Sequence, residues 1–230
     1  MNKLQKRVFE TKGMVSPEKS YYVPLENVVN ENNQDMKTMV DWGRYFTIFA
    51  PRQSGKTTFF EHFCKDIEKE PTYIAIQLSF QKLRNNSTKD FYQYIQKKLY
   101  KQLINKLKEV NCPQLESVLN FLNQHFLRNH MDFNNLFEEL NDLIKYKKIV
   151  IFIDEFDGIP KNDLVDFLMT LRDLYQEYKG KDDKALYSVG LVGIRNIARL
   201  TVDSENPSPF NIADEVKLPS FTLNNVRSLY

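Results

Sequence analysis

Glycine is the residue that this sequence lacks most clearly. The 230 residues include only seven glycines, whereas average usage predicts about sixteen. Collagen-like repeats, glycine-rich linkers and low-complexity chains are therefore excluded. Because glycine is used where a side chain does not fit, each of the seven is a candidate for a tight turn or a close backbone approach.

Long apolar runs and an excess of one charge are also missing, and cysteines are few. No run of about 18 apolar residues predicts a membrane span, and Met1–Lys19 has no apolar segment typical of a signal peptide. We therefore expect a cytoplasmic protein in which Cys64 and Cys112, which match no metal-binding spacing, are reduced thiols. The net charge of +2 does not mark the whole chain as a nucleic-acid binder.

The residues that are present predict an α/β fold. Apolar residues make up 42% and charged residues 27% of the chain, which is the balance of a globular domain. Strand-like runs alternate with helical periodicity, which predicts a parallel sheet with helices on both faces. The predicted strands are 44–50, 72–78, 148–154, 186–194 and 216–218, and the predicted helices are 35–42, 56–69, 164–178 and several within 88–146. Residues 1–24 and 30–34 are predicted to be irregular.

A phosphate-binding loop is predicted where the first of these strands meets a helix. The segment follows the pattern G-x-x-x-x-G-K-[ST], with Ala50 in the place of the first glycine. The predicted phosphate-binding residues are Pro51, Arg52, Gln53, Ser54, Gly55, Lys56, Thr57 and Thr58.

Each residue type in this loop suits a nucleotide phosphate. The absence of a side chain at Gly55 lets the backbone approach the phosphate, and the N–H groups of the helix N-terminus bind it. The Lys56 ammonium is expected between the β- and γ-phosphates, and the Thr57 hydroxyl is expected to bind Mg²⁺. Thr58 is expected either to lie near the α-phosphate or to cap the helix.

An acidic pair at the end of the apolar run 149–153 predicts the second half of the site. Asp154 is delivered to the carboxyl edge of the sheet, where it would hold Mg²⁺ through water. Glu155 would orient or deprotonate a water for attack on the γ-phosphate. An isolated acidic pair can equally cap a helix or a turn, but this one follows a phosphate-loop lysine by about a hundred residues. Asp157 is expected to cap the turn at Gly158; the alternative is that it supports the residues that bind the nucleotide and the metal.

A polar group at the end of the fourth predicted strand would complete the site. In P-loop sheets with strand order 5-1-4-3-2, this strand lies between the phosphate-loop strand and the acidic strand. Arg195 is the expected sensor of the γ-phosphate and Asn196 is the second choice; a surface arginine is the alternative.

Four segments of the sequence resemble the AAA-like P-loop ATPases, close to the STAND-type signalling ATPases and the archaeal-type ATPases. The segments are 21–24, 45–57, 153–157, and 208–212 followed by 218–222. The resemblance implies an additional-strand core with a catalytic glutamate, ATP as the nucleotide, and a leader that lies near the adenine at Tyr22. The resemblance also implies that Ala50, in place of the first loop glycine, is tolerated and does not inactivate the site. Relatives continue into a helical lid, of which residues 222–230 resemble the first turn.

These features predict three regions in the chain. Residues 1–34 form a leader that contacts the nucleotide, residues 35–222 form the ATPase core with a helical insertion at 88–146, and residues 223–230 begin a truncated lid. We expect Mg²⁺-dependent ATP hydrolysis coupled to conformational change, with a homo-oligomer or a partner protein contacting the insertion. The alternative is an ATP-bound switch or assembly module with little turnover; a small-molecule kinase is less favoured, because no arginine cluster for an acceptor is evident.

Overall fold

A mostly parallel sheet with helices on both faces organises the parts of the chain described by the computed structural model, which are residues 7–10, 15–25, 27–51, 54–193, 210–219 and 222–227. The strands are β1 (Val29–Asn30), β2 (Tyr45–Phe49), β3 (Tyr73–Ser79), β4 (Lys148–Asp154), β5 (Leu186–Gly193) and β6 (Asp214–Lys217). The α-helices are α1 (Met36–Asp41), α2 (Lys56–Ile67), α3 (Thr88–Glu109), α4 (Leu115–Gln124), α5 (His130–Leu143), α6 (Lys161–Glu177) and α7 (Leu223–Arg227). None of these helices has both the length and the apolar character needed to cross a membrane.

The order of the parallel strands confirms the predicted topology. Strands β6, β2, β5, β4 and β3 are neighbours in that order and run parallel, which is the predicted order 5-1-4-3-2. About five strands were expected, whereas the sheet of the described residues has six. The additional strand is β1, which pairs antiparallel with β6 through Val29 and Asn30. The sequence analysis assigned Asn30 to a loop, and a two-residue strand is too short for its side chains to show a period.

The two faces of the sheet bury separate hydrophobic clusters. In β4, Ile149, Ile151 and Ile153 pack into the cluster formed with helices α3 to α6, whereas Val150 and Phe152 pack into the cluster formed with α1 and α2. Successive side chains of a strand point to opposite faces. An almost continuous apolar run is therefore what a strand covered on both faces requires.

Two side chains of α3 bond to the backbone of β3, which is an edge strand of the sheet. Gln102 of α3 accepts a hydrogen bond from the N–H of Gln77 at 3.0 Å and donates one to its carbonyl at 2.8 Å. Tyr94 donates to the carbonyl of Ser79 at 2.8 Å. These bonds satisfy backbone groups that would otherwise offer an edge for pairing with another chain.

Lys184 is a buried cation at the opposite end of the sheet from the carboxyl edges of the strands. Its side chain lies beside the rings of Tyr175 and Tyr187, and its ammonium is 3.3 Å from the carbonyl oxygen of Gly43. Burial lowers the pKa of Lys184 to about 8. The nearby Asp182 opposes this lowering and Lys148 adds to it, so the charged form is disfavoured where it lies.

The lowered pKa predicts that the stability of the fold rises with pH above about 8. In that range the folded protein releases the Lys184 proton, whereas the unfolded chain keeps it up to a pKa near 10.5. The unfolded state then binds more protons, so the free energy of unfolding increases with pH. Urea unfolding of the original protein and of Lys184→Met between pH 7 and 9 measures this increase, which the variant lacks. Above pH 9 the Cys64 thiol, whose pKa is raised by burial, acts in the opposite direction. A Lys184→Met protein with the same pH dependence as the original would contradict the assignment to Lys184.

Candidate functional site

The loop between β2 and α2 presents an uncapped helix N-terminus. Gly55 is the N-cap of α2, with φ of 80° and ψ of 6°, and as a glycine it has no side chain to cap the first N–H groups of the helix. This left-handed conformation is strained for any residue with a Cβ. Since helix N-terminal N–H groups carry a partial positive charge, the loop offers a site for an anion.

The ammonium of Lys56 lies against the same loop. Its Nζ atom donates hydrogen bonds to the carbonyl oxygens of Ala50 at 2.9 Å and Pro51 at 2.5 Å. The lysine is the first residue of α2, so its side chain folds back over the strand end that precedes it. The charge is thereby held next to the uncapped N–H groups.

The carboxyl ends of β2 and β4 bring two oxygen-bearing side chains into contact. The hydroxyl of Thr57 donates a hydrogen bond to Oδ2 of Asp154 at 3.1 Å, across 97 residues of sequence. The other carboxylate oxygen of Asp154 accepts from the N–H of Glu155 at 2.8 Å. A hydroxyl and a carboxylate are ligands that Mg²⁺ prefers, and Mg²⁺ needs few protein ligands because it keeps several waters.

Glu155 has an unusual backbone conformation immediately after β4. Its φ of 53° and ψ of 44° are left-handed, and such conformations in non-glycine residues concentrate at functional sites. Its Oε2 atom accepts a hydrogen bond from the hydroxyl of Ser79 at 3.4 Å. The sequence analysis missed Ser79, although its position at the end of a strand adjacent to β4 was a usable signal.

The segments that follow β3 and β4 are packed tightly against one another. The N–H of Phe80 donates to the carbonyl of Asp154 at 3.0 Å. A Cβ added to Gly158 would lie 1.9 Å from the carbonyl oxygen of Phe80, so no larger residue fits without movement. This contact holds the segment after Glu155 in place relative to the strand end that carries Ser79.

The N-terminal leader forms one side of a partly open cavity of about 290 Å³ beside Gly55. The cavity is lined from the leader, from α2 and from α7 by residues that include Tyr22, Gly55, Thr58, Phe59 and Val226. The ring of Tyr22 lies 5.0 Å from the ring of His62 between centroids. Burial raises the pKa of Tyr22, so the phenol remains neutral at physiological pH.

Thr58 ties the leader to the helix that begins at the loop. It is buried, and its hydroxyl oxygen accepts a hydrogen bond from the N–H of Val15 at 3.2 Å. The alternative that Thr58 caps the helix is wrong, because the N-cap is Gly55. Position 58 is one turn too late for its hydroxyl to act as the N-cap.

Several predicted site residues lie outside the described part of the chain. These are Arg52 and Gln53 of the loop, and Arg195 and Asn196 after β5. Of the remaining predicted residues, the structure brings Thr57 into contact with Asp154, and Gly55 and Lys56 precede Thr57 at the start of the same helix. Ser54 and Pro51 belong to the same loop.

Three solved structures match the chain. The "Aeropyrum pernix ORC1 protein in complex with DNA" is 12% identical, with a TM-score of 0.46 and coverage of 89% of this chain and 49% of that chain. Drosophila ORC bound to poly(dA/dT) DNA and Cdc6 is 8% identical, and Drosophila ORC bound to GC-rich DNA and Cdc6 is 9% identical. Each Drosophila match has a TM-score of 0.51 and covers 84% of this chain and 29% of the other. The chain therefore spans about half or less of the length of these chains, and the Drosophila likeness shows the fold alone.

Comparison at the level of sequence gives the family. No curated protein sequence matches the chain significantly. The family model of the AAA-like domain matches residues 10–230, which is nearly the whole chain and includes the phosphate-loop motif, the acidic pair and the leader around Tyr22. The chain belongs to the AAA-like family of P-loop ATPases.

Proposed function

We propose that the chain binds ATP with Mg²⁺ and hydrolyses it, and that hydrolysis drives or times a conformational change. The observation that carries the proposal is the hydrogen bond between Thr57 and Asp154. This bond brings a phosphate-loop hydroxyl and a carboxylate to one point beside an uncapped helix N-terminus. An oxygen-binding cation and a polyphosphate require this combination.

The residues of the loop would bind and orient the phosphates. The N–H groups that follow Gly55 supply fixed dipoles, and the Lys56 ammonium supplies a full charge. Thr57 and Asp154 would hold Mg²⁺, which neutralises phosphate charge and positions the β- and γ-phosphates when bound. None of these groups needs to move between strands, because the loop and the carboxylate are already in contact.

Glu155 would act on the attacking water. Its left-handed backbone aims the side chain away from the direction that an extended strand residue would take, and its carboxylate bonds to Ser79. A carboxylate acting as general base accepts a proton from water as the oxygen attacks phosphorus. The bond to Ser79 must weaken or be shared when Glu155 binds water, so Ser79 is a positioning residue in this proposal.

The leader and α7 would enclose the nucleotide base. The cavity beside Gly55 is lined by the ring of Tyr22 and by apolar side chains of the leader and α7. Aromatic and apolar walls with few polar groups are typical of base-binding pockets. The adjacency of this cavity to the phosphate loop supports a role for the leader in binding ATP, with Tyr22 against the base.

Lys56→Ala is expected to weaken ATP binding by about tenfold to a hundredfold. The lysine contributes charge-assisted hydrogen bonds to phosphate, and such bonds contribute about 1.5–3 kcal/mol each. Equilibrium titration with ATP and Mg²⁺ measures the change. Lys65→Ala is the matched control, because Lys65 is exposed on the same helix and forms an ion pair with Glu61. Equal affinity of the Lys56→Ala and Lys65→Ala proteins would contradict the proposed site.

Glu155→Gln is expected to retain ATP binding and to lower the rate of hydrolysis by about a hundredfold or more, since a general base contributes a factor of roughly 10² to 10⁴. Phosphate release under steady-state conditions measures the rate. Glu116→Gln, an exposed change in the first turn of α4, serves as the control. Hydrolysis by Glu155→Gln at the original rate would show that another group activates the water.

A second comparison separates an enzyme from an ATP-bound switch. Multiple turnovers per site in excess ATP support the proposed ATPase. Tight binding with no more than one ATP consumed per site over hours would instead favour a switch with little turnover, and the bond between Glu155 and Ser79 would then describe its resting state.

A further inference from the structure

The outer face of α3 concentrates positive charge in a chain whose net charge is only +2. Between Asp90 and Glu109 the helix has five lysines and no acidic residue. Four of these lysines are exposed, and we refer to them as the lysine face: Lys97, Lys98, Lys101 and Lys108. At 3.6 residues per turn they fall within an arc of about 100° on one side of the helix, over about 16 Å of its axis.

The lysine face brings together four cations that have no acidic partner among the described residues. Several other exposed lysines do pair with nearby acids, as in Lys37–Asp41, Lys65–Glu61 and Lys69–Asp66. In the described part of the chain, the four lysines of the face form no ion pair. Like charges four residues apart, such as Lys97 and Lys101, also disfavour the helix itself.

The acids nearest to the face are already engaged. Glu68, at the end of α2, forms an ion pair with Lys106 at 2.8 Å, and Lys106 lies outside the face. Glu109 is 3.6 Å from the same lysine. The ion pair that links α3 to the end of α2 therefore does not neutralise the lysine face.

The positive surface extends beyond the face to the start of the helix. Lys89 lies in the first turn of α3, and Lys82 and Arg84 lie in the loop that joins β3 to α3. All three are exposed, and none forms an ion pair with another described residue. At 3.6 residues per turn Lys89 lies about 80° around the helix from Lys97, so it borders the lysine face, whose own length of about 16 Å corresponds to about five base-pair steps of a duplex.

We propose that the lysine face of α3 binds the phosphate backbone of a double-stranded nucleic acid without reading its base sequence. Unpaired lysines along a straight, narrow surface complement a linear array of phosphates. The exposed amides of Gln93 and Asn105 lie between the lysines and suit hydrogen bonds to phosphate and sugar oxygens.

The composition of the surface favours a duplex over the other polyanions. No exposed large apolar side chain of the described chain lies on α3, and a helix that lies in a membrane surface needs such residues on one face. The aromatic side chains of α3 are buried or half-buried, so they offer no platform for stacking unpaired bases, as single-strand binders do. The expectation from net charge concerned the whole chain, whereas this surface is a local excess.

The proposal does not depend on nucleotide binding, because none of the lysines belongs to the phosphate loop. It can therefore fail or succeed independently of the proposed ATPase activity. The full chain is titrated into a fluorescent 20-base-pair duplex at several KCl concentrations, and binding is followed by anisotropy. Binding should weaken steeply with salt, since each contacted phosphate contributes about −0.9 to the slope of log K against log salt.

Lys97→Gln/Lys101→Gln should reduce the magnitude of this slope by about 1.8 and weaken binding about tenfold or more at 100 mM salt. The matched control is Lys179→Gln/Lys181→Gln, which removes the same charge beyond the end of α6, where these lysines lie over the rings of Tyr175 and Tyr178. Circular dichroism verifies that both variants keep the fold. An unchanged slope in the α3 variant, an equal loss in both variants, or no duplex binding by the original protein would overturn the proposal.

Two competitors test the choice of partner. Single-stranded DNA of equal phosphate content and vesicles rich in phosphatidylserine are each titrated against the labelled duplex. The proposal expects the duplex to bind more tightly than either competitor. Tighter binding of single strands, or vesicle binding that depends on Lys97 and Lys101 while duplex binding does not, would assign the surface to a different partner and overturn the proposal.

Discussion

The contact between Thr57 and Asp154 depends on three adjacent parallel strands that end at the same edge of the sheet. Strand β5 lies between β2, which leads into the loop, and β4, which carries Asp154. Gly190 of β5 is part of this arrangement, because a Cβ there would lie 2.7 Å from the ring of Phe46 and 2.8 Å from that of Phe152. The glycine leaves room for the rings of Phe46 and Phe152, on the two strands that flank β5, to fill the core beside α2. The same packing keeps the two halves of the candidate site in register.

Three regions of the molecule differ in polarity: the cavity beside the phosphate loop, the strand ends, and the outer face of α3. Apolar and aromatic residues of the leader form one wall of the cavity beside the phosphate loop. Charged and polar residues, including Lys56 and Asp154, gather at the strand ends. Exposed lysines occupy the outer face of α3. The small net charge of the chain is therefore a sum over apolar and charged regions, and it does not indicate the charge of any one region.

Much of the fold could be predicted because its signals are local. Strand β4 matches its predicted bounds exactly, since an uninterrupted apolar run is what burial on both faces requires. The segment 88–146 was predicted to contain several helices, and α3, α4 and α5 are separated near Pro113 and Asn129. Strand β1 was missed because two residues have no detectable period and its partner β6 is nearly 190 residues away. The start of α6 at Lys161, three residues before the predicted start, follows a proline N-cap that periodicity alone does not reveal.

The sequence by itself determined the site's chemical groups: a glycine and a lysine at a helix start, and an acidic pair at a strand end. These groups can be recognised from residue type and from short spacings in the sequence, which do not depend on how distant parts of the chain pack. Only the tertiary structure decided that Ser79 bonds to Glu155, that Val15 bonds to Thr58, and that the leader forms one side of a cavity beside Gly55. Each of these contacts joins residues more than 30 positions apart, and their meeting depends on strand order and packing. The exposure and lack of pairing of the α3 lysines were settled in the same way, because burial and ion pairs are properties of neighbours in space.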